Sequence, residues 1–257
     1  MYLIHTVRSE LVKTRHSFTW WLTLLGAGIV PFVFFVASII YWEKMIPAAG
    51  TNPWDRLFGN EWQSVSFLLL PMYIILAVSL SVQLEYNANA WKQLLAQPVP
   101  HWSIYFSKLI LMLVMIVGCY ILFSLFTLVG GAIAGVIHPE LGFLRIRPNY
   151  EELFRTCYRS FLSVLGIVGI QYLFSLRWRN FVIPVGIGLA GVIASMILVG
   201  RWKYAHFVPY ASPSLTLINI YKKVSGEVIS KNELLSVLYF ALLIPIGYCY
   251  FRRKEDK

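Results

Sequence analysis

Apolar residues occur along this chain in long uninterrupted runs, not in the alternating or one-faced patterns of a soluble domain. Six of these runs contain no Asp, Glu, Lys or Arg. Each is long enough to cross a membrane, because a helix needs roughly 17 to 25 apolar residues to span the hydrocarbon core. The pattern predicts six transmembrane helices at about residues 18–41, 65–82, 109–134, 160–176, 181–199 and 234–251.

A further charge-free segment, residues 204–221, has a different character. Its sequence, YAHFVPYASPSLTLINIY, contains Pro209 and Pro213 together with several polar side chains. Irregular backbone at membrane depth is stable only where protein or water satisfies its polar groups. We therefore expect broken helices or a re-entrant segment that rests on its neighbours. The alternative is a seventh span, which would place the two termini on opposite sides.

The composition supports a membrane protein throughout. The chain has 257 residues, of which 58% are hydrophobic and only 13% are charged, and its mean hydropathy is +0.66. Such values exclude a soluble domain of ordinary surface area. We predict an all-α integral membrane protein, with residues 1–257 forming a single transmembrane domain. Its net charge of +10 is typical of cationic loops beside anionic lipid headgroups and requires no nucleic acid.

The positive charges indicate the orientation. Lys and Arg are equally numerous on the two sides of a six-span arrangement, but those on the side of the termini lie in the shorter segments. Short loops are where the positive-inside rule applies, so both termini are predicted to be cytoplasmic. Before the first span, Leu3, Val7 and Leu11 recur every four residues, which predicts an amphipathic helix in the cytoplasmic interface. The apolar run that follows is longer than that of a signal peptide and has no cleavage site.

Motifs that suggest an enzyme are weak. GIGLAG, residues 186–191, matches a dinucleotide fingerprint, but it lies inside the fifth span, where small residues permit close helix packing. Gly131 and Gly135 have the same interpretation. EELFR, residues 151–155, is one residue short of an intramembrane protease motif and is expected to be an interfacial helix face. The three cysteines are isolated, so no metal site and no catalytic set are predicted.

Two further absences limit how this membrane protein could be energised. No predicted span contains a charged residue, whereas ion-coupled carriers usually place one at mid-membrane, and Gln171 is the strongest polar candidate left. The chain also has no P-loop and no Gly-Lys dipeptide. ATP would therefore have to bind to another chain.

The segment between the second and third spans is polar and helix-forming. Residues 87–97 form a predicted short helix that ends at Pro98, because proline cannot continue the hydrogen-bond ladder. Trp91, Leu94 and Leu95 have i, i+3, i+4 spacing and share one face. This face would pack either on the protein's own spans or on a partner outside the lipid.

The same segment carries a resemblance to a known family. Glu85, then AWKQLLAQPVPHWSI at residues 90–104, then Ser-Lys-Leu at 107–109 resemble the coupling segment of ABC-2 type transporter permeases. The resemblance implies that this cytoplasmic helix docks on a separate ATP-binding subunit. The implied docking residues are Glu85, Trp91, Lys92, Leu94, Leu95 and Pro98. It also implies contributions from Glu10 and Lys13 of the N-terminal helix, and from Arg177 and Arg179 in the short turn LRWRN.

The resemblance also implies a function. It predicts the permease subunit of an ATP-driven exporter in the bacterial inner membrane, paired with a second copy or a similar permease and surrounded by lipid. ATP and Mg²⁺ would be bound by the partner ATPase, with no cofactor in this chain. The length and short loops resemble the permeases of lantibiotic and bacitracin self-protection, and the apolar spans favour an amphipathic cargo. The main alternative is a secondary carrier or channel-like protein without an ATPase.

Overall fold

The computed structural model describes residues 2–15, 17–48, 50–87, 99–221 and 229–253, and its regular elements are all helical. A π-helix, Val65–Leu69, joins α4 to α5 without a break. The α-helices of the described residues are α1 (Tyr2–Thr14), α2 (Phe18–Ile40), α3 (Trp42–Met45), α4 (Pro53–Ser64), α5 (Leu70–Asn87), α6 (His101–Ile137), α7 (Tyr150–Arg177), α8 (Val182–Leu198), α9 (Ser212–Tyr221) and α10 (Lys231–Arg253).

The prediction of an all-α membrane protein is confirmed. In the part of the chain that the structure describes, five helical rods are long and apolar enough to cross a membrane: Phe18–Ile40, Pro53–Tyr86, His101–Ile137, Tyr150–Arg177 and Lys231–Arg253. The predicted fifth span corresponds to α8, which is apolar but shorter, with 17 residues. At 1.5 Å per residue α8 is about 25 Å long, slightly less than the thickness of a typical hydrocarbon core.

Helices α2 and α6 pack side by side and run in the same direction. A Cβ atom at Gly28 would lie 3.5 Å from the ring of Phe126, and one at Gly130 would lie 3.5 Å from Cβ of Phe35. Residue numbers therefore rise together along the two helices. The two helices are therefore close enough for van der Waals contact along this segment.

Helix α7 packs on α10, also in the same direction. Arg159 near the start of α7 contacts Glu233 at the start of α10, and Arg177 at the end of α7 bonds Tyr250 near the end of α10. Gly169, between these two contacts, faces α10 directly: its Cβ would lie 3.4 Å from Cα of Phe240. The two helices are therefore in close contact along most of their length.

The rod formed by α4, the π-helix and α5 runs opposite to α6. At one end Trp54 lies against Gly131, where a Cβ atom would be only 2.6 Å from the indole ring. At the other end Glu85 pairs with Lys108. The molecule thus has two ends. We call the one with α1, Glu85 and Lys108 the terminal face, and the one with Trp54 the opposite face.

Residues 204–221 have broken backbone, as predicted. Two 3₁₀ turns, Ala205–Phe207 and Pro209–Ala211, precede the ten-residue helix α9, which at about 15 Å is too short to span a membrane. Asn232 of α10 anchors this helix: its side-chain nitrogen donates to Thr216 Oγ1 at 2.7 Å, and its oxygen accepts from Asn219 at 3.2 Å. The segment is held by hydrogen bonds to its neighbours.

The glycines of GIGLAG serve helix packing, which confirms that prediction at two of three positions. A Cβ atom at Gly188 would lie 2.8 Å from Ile75 of α5, and one at Gly191 would lie 2.7 Å from the ring of Tyr210. Gly186 has no atom within 4 Å of such a position. Only the two later glycines are required for close approach.

The helices continue past the charge-free runs. Lys108, Arg159 and Glu233 each lie one residue beyond a predicted span, and each is buried within the helix that continues it. The predicted spans are free of charge, as stated, but the helices that continue them bury ionisable groups just outside their bounds. These three are tolerated because each has an oppositely charged partner.

Candidate functional site

Four charged side chains meet at the terminal face. Lys108 of α6 is only 2% exposed, and its Nζ lies 2.9 Å from Glu10 Oε2 of α1 and 2.5 Å from Glu85 Oε1 of α5. Lys13 of α1 closes the group: its Nζ is 2.9 Å from Glu10 Oε1 and 3.9 Å from Glu85 Oε1. We call Glu10, Lys13, Glu85 and Lys108 the charge cluster. It joins three helices at one point.

The amphipathic pattern of α1 explains how Glu10 enters this cluster. Leu3, Val7 and Leu11 are half-buried, as the pattern predicted, while Glu10 on the same side is 4% exposed. Near the start of the helix, Thr6 Oγ1 shares a 2.8 Å hydrogen bond with the hydroxyl of a serine of α6. Helix α1 is therefore attached to α6 both through its first half and through Glu10.

The cluster is electrostatically balanced, with two carboxylates and two ammonium groups. Burial opposes ionisation of Glu10, but attraction to Lys108 and Lys13 outweighs it, and the pKa of Glu10 lies below its ordinary value. Glu10 is thus ionised at neutral pH. Of the two lysines in the cluster, Lys108 is the one within 2.9 Å of both carboxylates, so the arrangement depends mainly on its charge.

A second set of contacts links the end of α5 to the turn after α7. Tyr86, next to Glu85, donates its hydroxyl hydrogen to the backbone oxygen of Leu176 at 2.9 Å. Arg177 donates to the Tyr250 hydroxyl at 3.0 Å, and its guanidinium lies over that ring, 5.4 Å from the centroid. Arg179 is exposed on the same turn. The ends of α5, α7 and α10 are therefore in direct contact.

The structure thus brings several of the predicted site residues together. Glu10, Lys13 and Glu85 form one cluster, and the tyrosine beside Glu85 contacts the turn that carries Arg177 and Arg179. The other predicted docking residues, Trp91, Lys92, Leu94, Leu95 and Pro98, lie outside the described residues. A docking role for any of these side chains stays a prediction.

Lys108 was not predicted as a site residue. The sequence does contain a signal for it, because Glu85 and Lys108 flank the polar segment, each next to an apolar run. Opposite charges at the two ends of one connection between antiparallel helices are well placed to pair. The contact between Lys108 and Glu10 could not be predicted in this way, because the two residues are 98 positions apart in the sequence.

Toward the opposite face, a second ion pair is built on a helix cap. Ser230 and Glu233 have capping-box spacing at the start of α10, and Glu233 Oε2 accepts from the Ser230 backbone N–H at 3.0 Å. Arg159 donates Nε to Glu233 Oε1 at 3.0 Å and Nη2 to the Ser230 hydroxyl. This pair holds the start of α10 against α7.

Gln171, the polar candidate inside the spans, is fully engaged in packing. Its side-chain nitrogen donates to the Pro184 backbone oxygen at 2.7 Å and to the Ser79 hydroxyl at 3.3 Å. Its oxygen accepts from the Tyr210 hydroxyl at 3.2 Å. The side chain thereby connects α7 to α5, α8 and the broken segment, which accounts for a buried amide at this position.

Comparison with known proteins identifies the family of this chain. Residues 6–195 match the family described as ABC-2 family transporter protein. The protein named Uncharacterized protein YhcI, from Bacillus subtilis (strain 168), is 22% identical over 230 residues, which cover 83% of this chain and 72% of the relative. The chain belongs to the ABC-2 family of transporter proteins. It is accordingly a multi-pass membrane permease subunit of an ABC transporter. Such a permease is a transport subunit and not itself a P-loop ATPase. The family therefore implies an ABC ATP-binding partner.

Proposed function

We propose that this chain is the permease of an ATP-driven exporter and that the charge cluster transmits the movement of the ATPase into the membrane helices. The observation that carries this proposal is the position of the cluster. Glu85 and Lys108 stand on either side of residues 88–98, the segment that resembles a coupling helix, and they are 2.5 Å apart.

A force applied to residues 88–98 would act on two helices at once. Since α5 and α6 are joined through Glu85 and Lys108, they would respond as one unit. Glu10 ties α1 to the same unit, and Tyr86 passes the movement to the end of α7. Packed helices with two discrete arrangements are the usual means by which such a push becomes an opening movement.

The proposal includes an orientation and an assembly. The terminal face is cytoplasmic in the bacterial inner membrane, in line with the dense positive charge of the short segments there. Two copies, or this chain and a similar permease, form the pathway with two ATP-binding subunits, which bind ATP and Mg²⁺. The apolar and aromatic spans suit an amphipathic peptide or lipid-like cargo, and resistance to a peptide antibiotic is one role such an exporter could have.

Co-purification with the ATP-binding subunit tests the docking role of the segment. Truncating Trp91 or Leu95 to Ala should weaken or abolish the complex, because anchor residues of an interface typically contribute on the order of 1 to 4 kcal/mol. The fold of the membrane helices should survive, as the segment lies outside the predicted spans. Lys203→Ala, an exposed residue after α8 at the other end of the molecule, is the matched control.

Full recovery of the ATPase with both variants, together with normal ATP-dependent transport, would show that the segment only packs on its own spans. Transport driven by an ion gradient in the absence of any ATPase would instead favour the secondary-carrier alternative.

A further inference from the structure

Exposed charged side chains are distributed unequally between the two ends of the molecule. Among the described residues, the exposed carboxylates lie toward the opposite face: Glu43, Asp55, Glu140, Glu151 and Glu152. The two carboxylates of the terminal face, Glu10 and Glu85, are buried in the charge cluster. The exposed charges described on that face are basic, and those at the ends of α7 and α10 are Arg177, Arg179, Arg252 and Arg253. The terminal face therefore attracts anions.

Arg177 is held in position by the end of α10. Its Nη1 donates to the Tyr250 hydroxyl at 3.0 Å, and its guanidinium lies over the same ring, 5.4 Å from the centroid. A guanidinium has five N–H donors in one plane, so this bond leaves donors for a further ligand. Paired N–H groups of arginine suit two oxygens of a phosphate, and a side chain that is already oriented loses less entropy when it binds.

Arg253 lies beside this contact, at the end of an exposed apolar stripe on α10. It follows Tyr250 by three residues, so the two side chains are neighbours on the helix surface. Leu242 and Ile246, which are 56% and 55% exposed, precede Arg253 by eleven and seven residues. These spacings are close to whole turns and place the three side chains on one face. That face of α10 is therefore apolar along its length and positively charged at its end.

The dimensions of this surface match one leaflet of a bilayer. Arg253 and Leu242 are separated by about 16 Å along the helix axis, close to half of the roughly 30 Å hydrocarbon core. A phosphate beside Arg253 would therefore lie at headgroup depth, with the acyl chain of the same molecule along the stripe. A soluble anion would use the charged end of the surface alone.

Two sources of negative charge at this end are small. The carbonyl end of a helix carries only about half a unit of negative charge, whereas α7 and α10 each bring two arginines to this region. The sequence beyond Arg253 is Lys-Glu-Asp-Lys, whose side-chain charges cancel. The positive charge of the four arginines is therefore largely uncompensated by these groups.

We propose that Arg177 and Arg253 bind the phosphate of an anionic phospholipid whose acyl chain lies along Ile246 and Leu242. The family resemblance implied a contribution of Arg177 to ATPase docking, so the lipid is a different partner for this side chain. Lipid binding requires this chain alone and can be measured without an ATPase, whatever the transport function.

Native mass spectrometry of the full-length protein in detergent, titrated with phosphatidylglycerol, measures the affinity for the first bound lipid. Phosphatidylcholine with the same acyl chains is the probe without net charge. The wild type should bind phosphatidylglycerol about tenfold more tightly than phosphatidylcholine or better, because each arginine near a headgroup favours an anionic lipid. The double variant Arg177→Gln with Arg253→Gln should lose most of this preference and bind phosphatidylcholine unchanged.

A second double variant, Arg8→Gln with Arg15→Gln, is the matched control. It removes the same charge from exposed positions of the same face and should keep the preference for phosphatidylglycerol. Arg253→Gln alone leaves the contact between Arg177 and Tyr250 in place and should lose part of the preference. This single variant separates lipid binding from the packing of the helix ends.

Melting temperature gives an independent measurement. A ligand that binds only the folded state stabilises it, so phosphatidylglycerol should raise the melting temperature of the wild type and of the Arg8 and Arg15 control. It should raise that of the Arg177 and Arg253 double variant less. Glycerol 3-phosphate has a headgroup charge without acyl chains and should not displace the lipid at the same concentration.

An undiminished preference for phosphatidylglycerol in the Arg177 and Arg253 double variant, or an equal loss in the control, would overturn the proposal. Displacement of the lipid by glycerol 3-phosphate at the same concentration would also overturn it, because the apolar stripe would then contribute nothing. Loss of the ATP-binding subunit with unchanged lipid binding would assign the two arginines to ATPase docking instead. Failure of the wild type to retain any ATPase would contradict the proposed exporter without affecting the lipid measurement.

Discussion

Replacing Lys108 by Met tests how strongly the charge cluster holds the terminal face together. Met has nearly the length of Lys and no charge, so the packing of α6 is retained. The substitution leaves Glu10 and Glu85 buried side by side, and among the described residues Lys13 is the remaining lysine that pairs with them. Because Lys13 has a side chain that is 44% exposed and lies 3.9 Å from Glu85, it compensates the second carboxylate weakly.

The expected size of the effect follows from burial. Breaking a buried ion pair by removing one partner costs about 3 to 5 kcal/mol. For a protein of this length each kcal/mol corresponds to about 2 to 4 °C in melting temperature, so Lys108→Met should melt roughly 6 to 20 °C lower. Lys13→Met removes a half-exposed partner and should cost at most about 1 kcal/mol.

Thermal unfolding of the two variants in the same detergent measures the difference. A triple variant in which Glu10 and Glu85 become Gln while Lys108 becomes Met should recover most of the loss, since no buried charge is then left unpaired. The reasoning is refuted if Lys108→Met melts within about 2 °C of Lys13→Met, because the buried lysine would then contribute no more than a surface ion pair.

Two further predictions concern pH and helix packing. The folded state lowers the pKa of Glu10. The contribution of Glu10 to stability should therefore be complete above about pH 5 and should be lost as the pH falls through the folded pKa. Unfolding curves of Glu10→Gln should lack this acid-dependent loss, and an identical loss in the variant would assign it to other groups. Gly191→Ala should lower the free energy of unfolding by about 1 to 3 kcal/mol, because its Cβ would lie 2.7 Å from Tyr210. Gly186→Ala, with open space around it, should be neutral or stabilising by up to about 1 kcal/mol. Equal melting temperatures for the two variants would contradict the packing described for α8.

The apolar runs predicted the class of fold and the presence of long apolar helices. They could not predict where burial ends. The predicted spans end just before Lys108, Arg159 and Glu233 because each apolar run was taken to end at the first charged residue. A charged residue ends such a run whether its side chain faces water or a buried ion-pair partner. The partners that decide between these cases are 98 and 74 residues away along the chain. A local pattern does not contain them.

The candidate site was predictable in part for the same reason. Resemblance to a family identified Glu10, Lys13 and Glu85 as residues of interest, and the structure shows them in one cluster. The burial of Glu61 in α4 was not predicted. Its sequence context, between polar residues before an apolar run, is that of an ordinary interfacial glutamate, and only its contact with Thr127 of α6 places it inside the protein.

The unbroken rod from Pro53 to Tyr86 has a thermodynamic consequence. Glu61 and Glu85 are on the same rod, 24 residues or about 36 Å apart. The π-helix lies between them, and a change there between π-helical and α-helical winding would rotate one part of the rod relative to the other. If one winding of this rod favours bound cargo and also favours an ATPase beside Glu85, the two equilibria are linked and the coupling is reciprocal. Bound cargo would raise the affinity of the permease for the ATPase by the same factor by which the ATPase raises its affinity for cargo. An empty permease would therefore bind its ATPase more weakly than a loaded one.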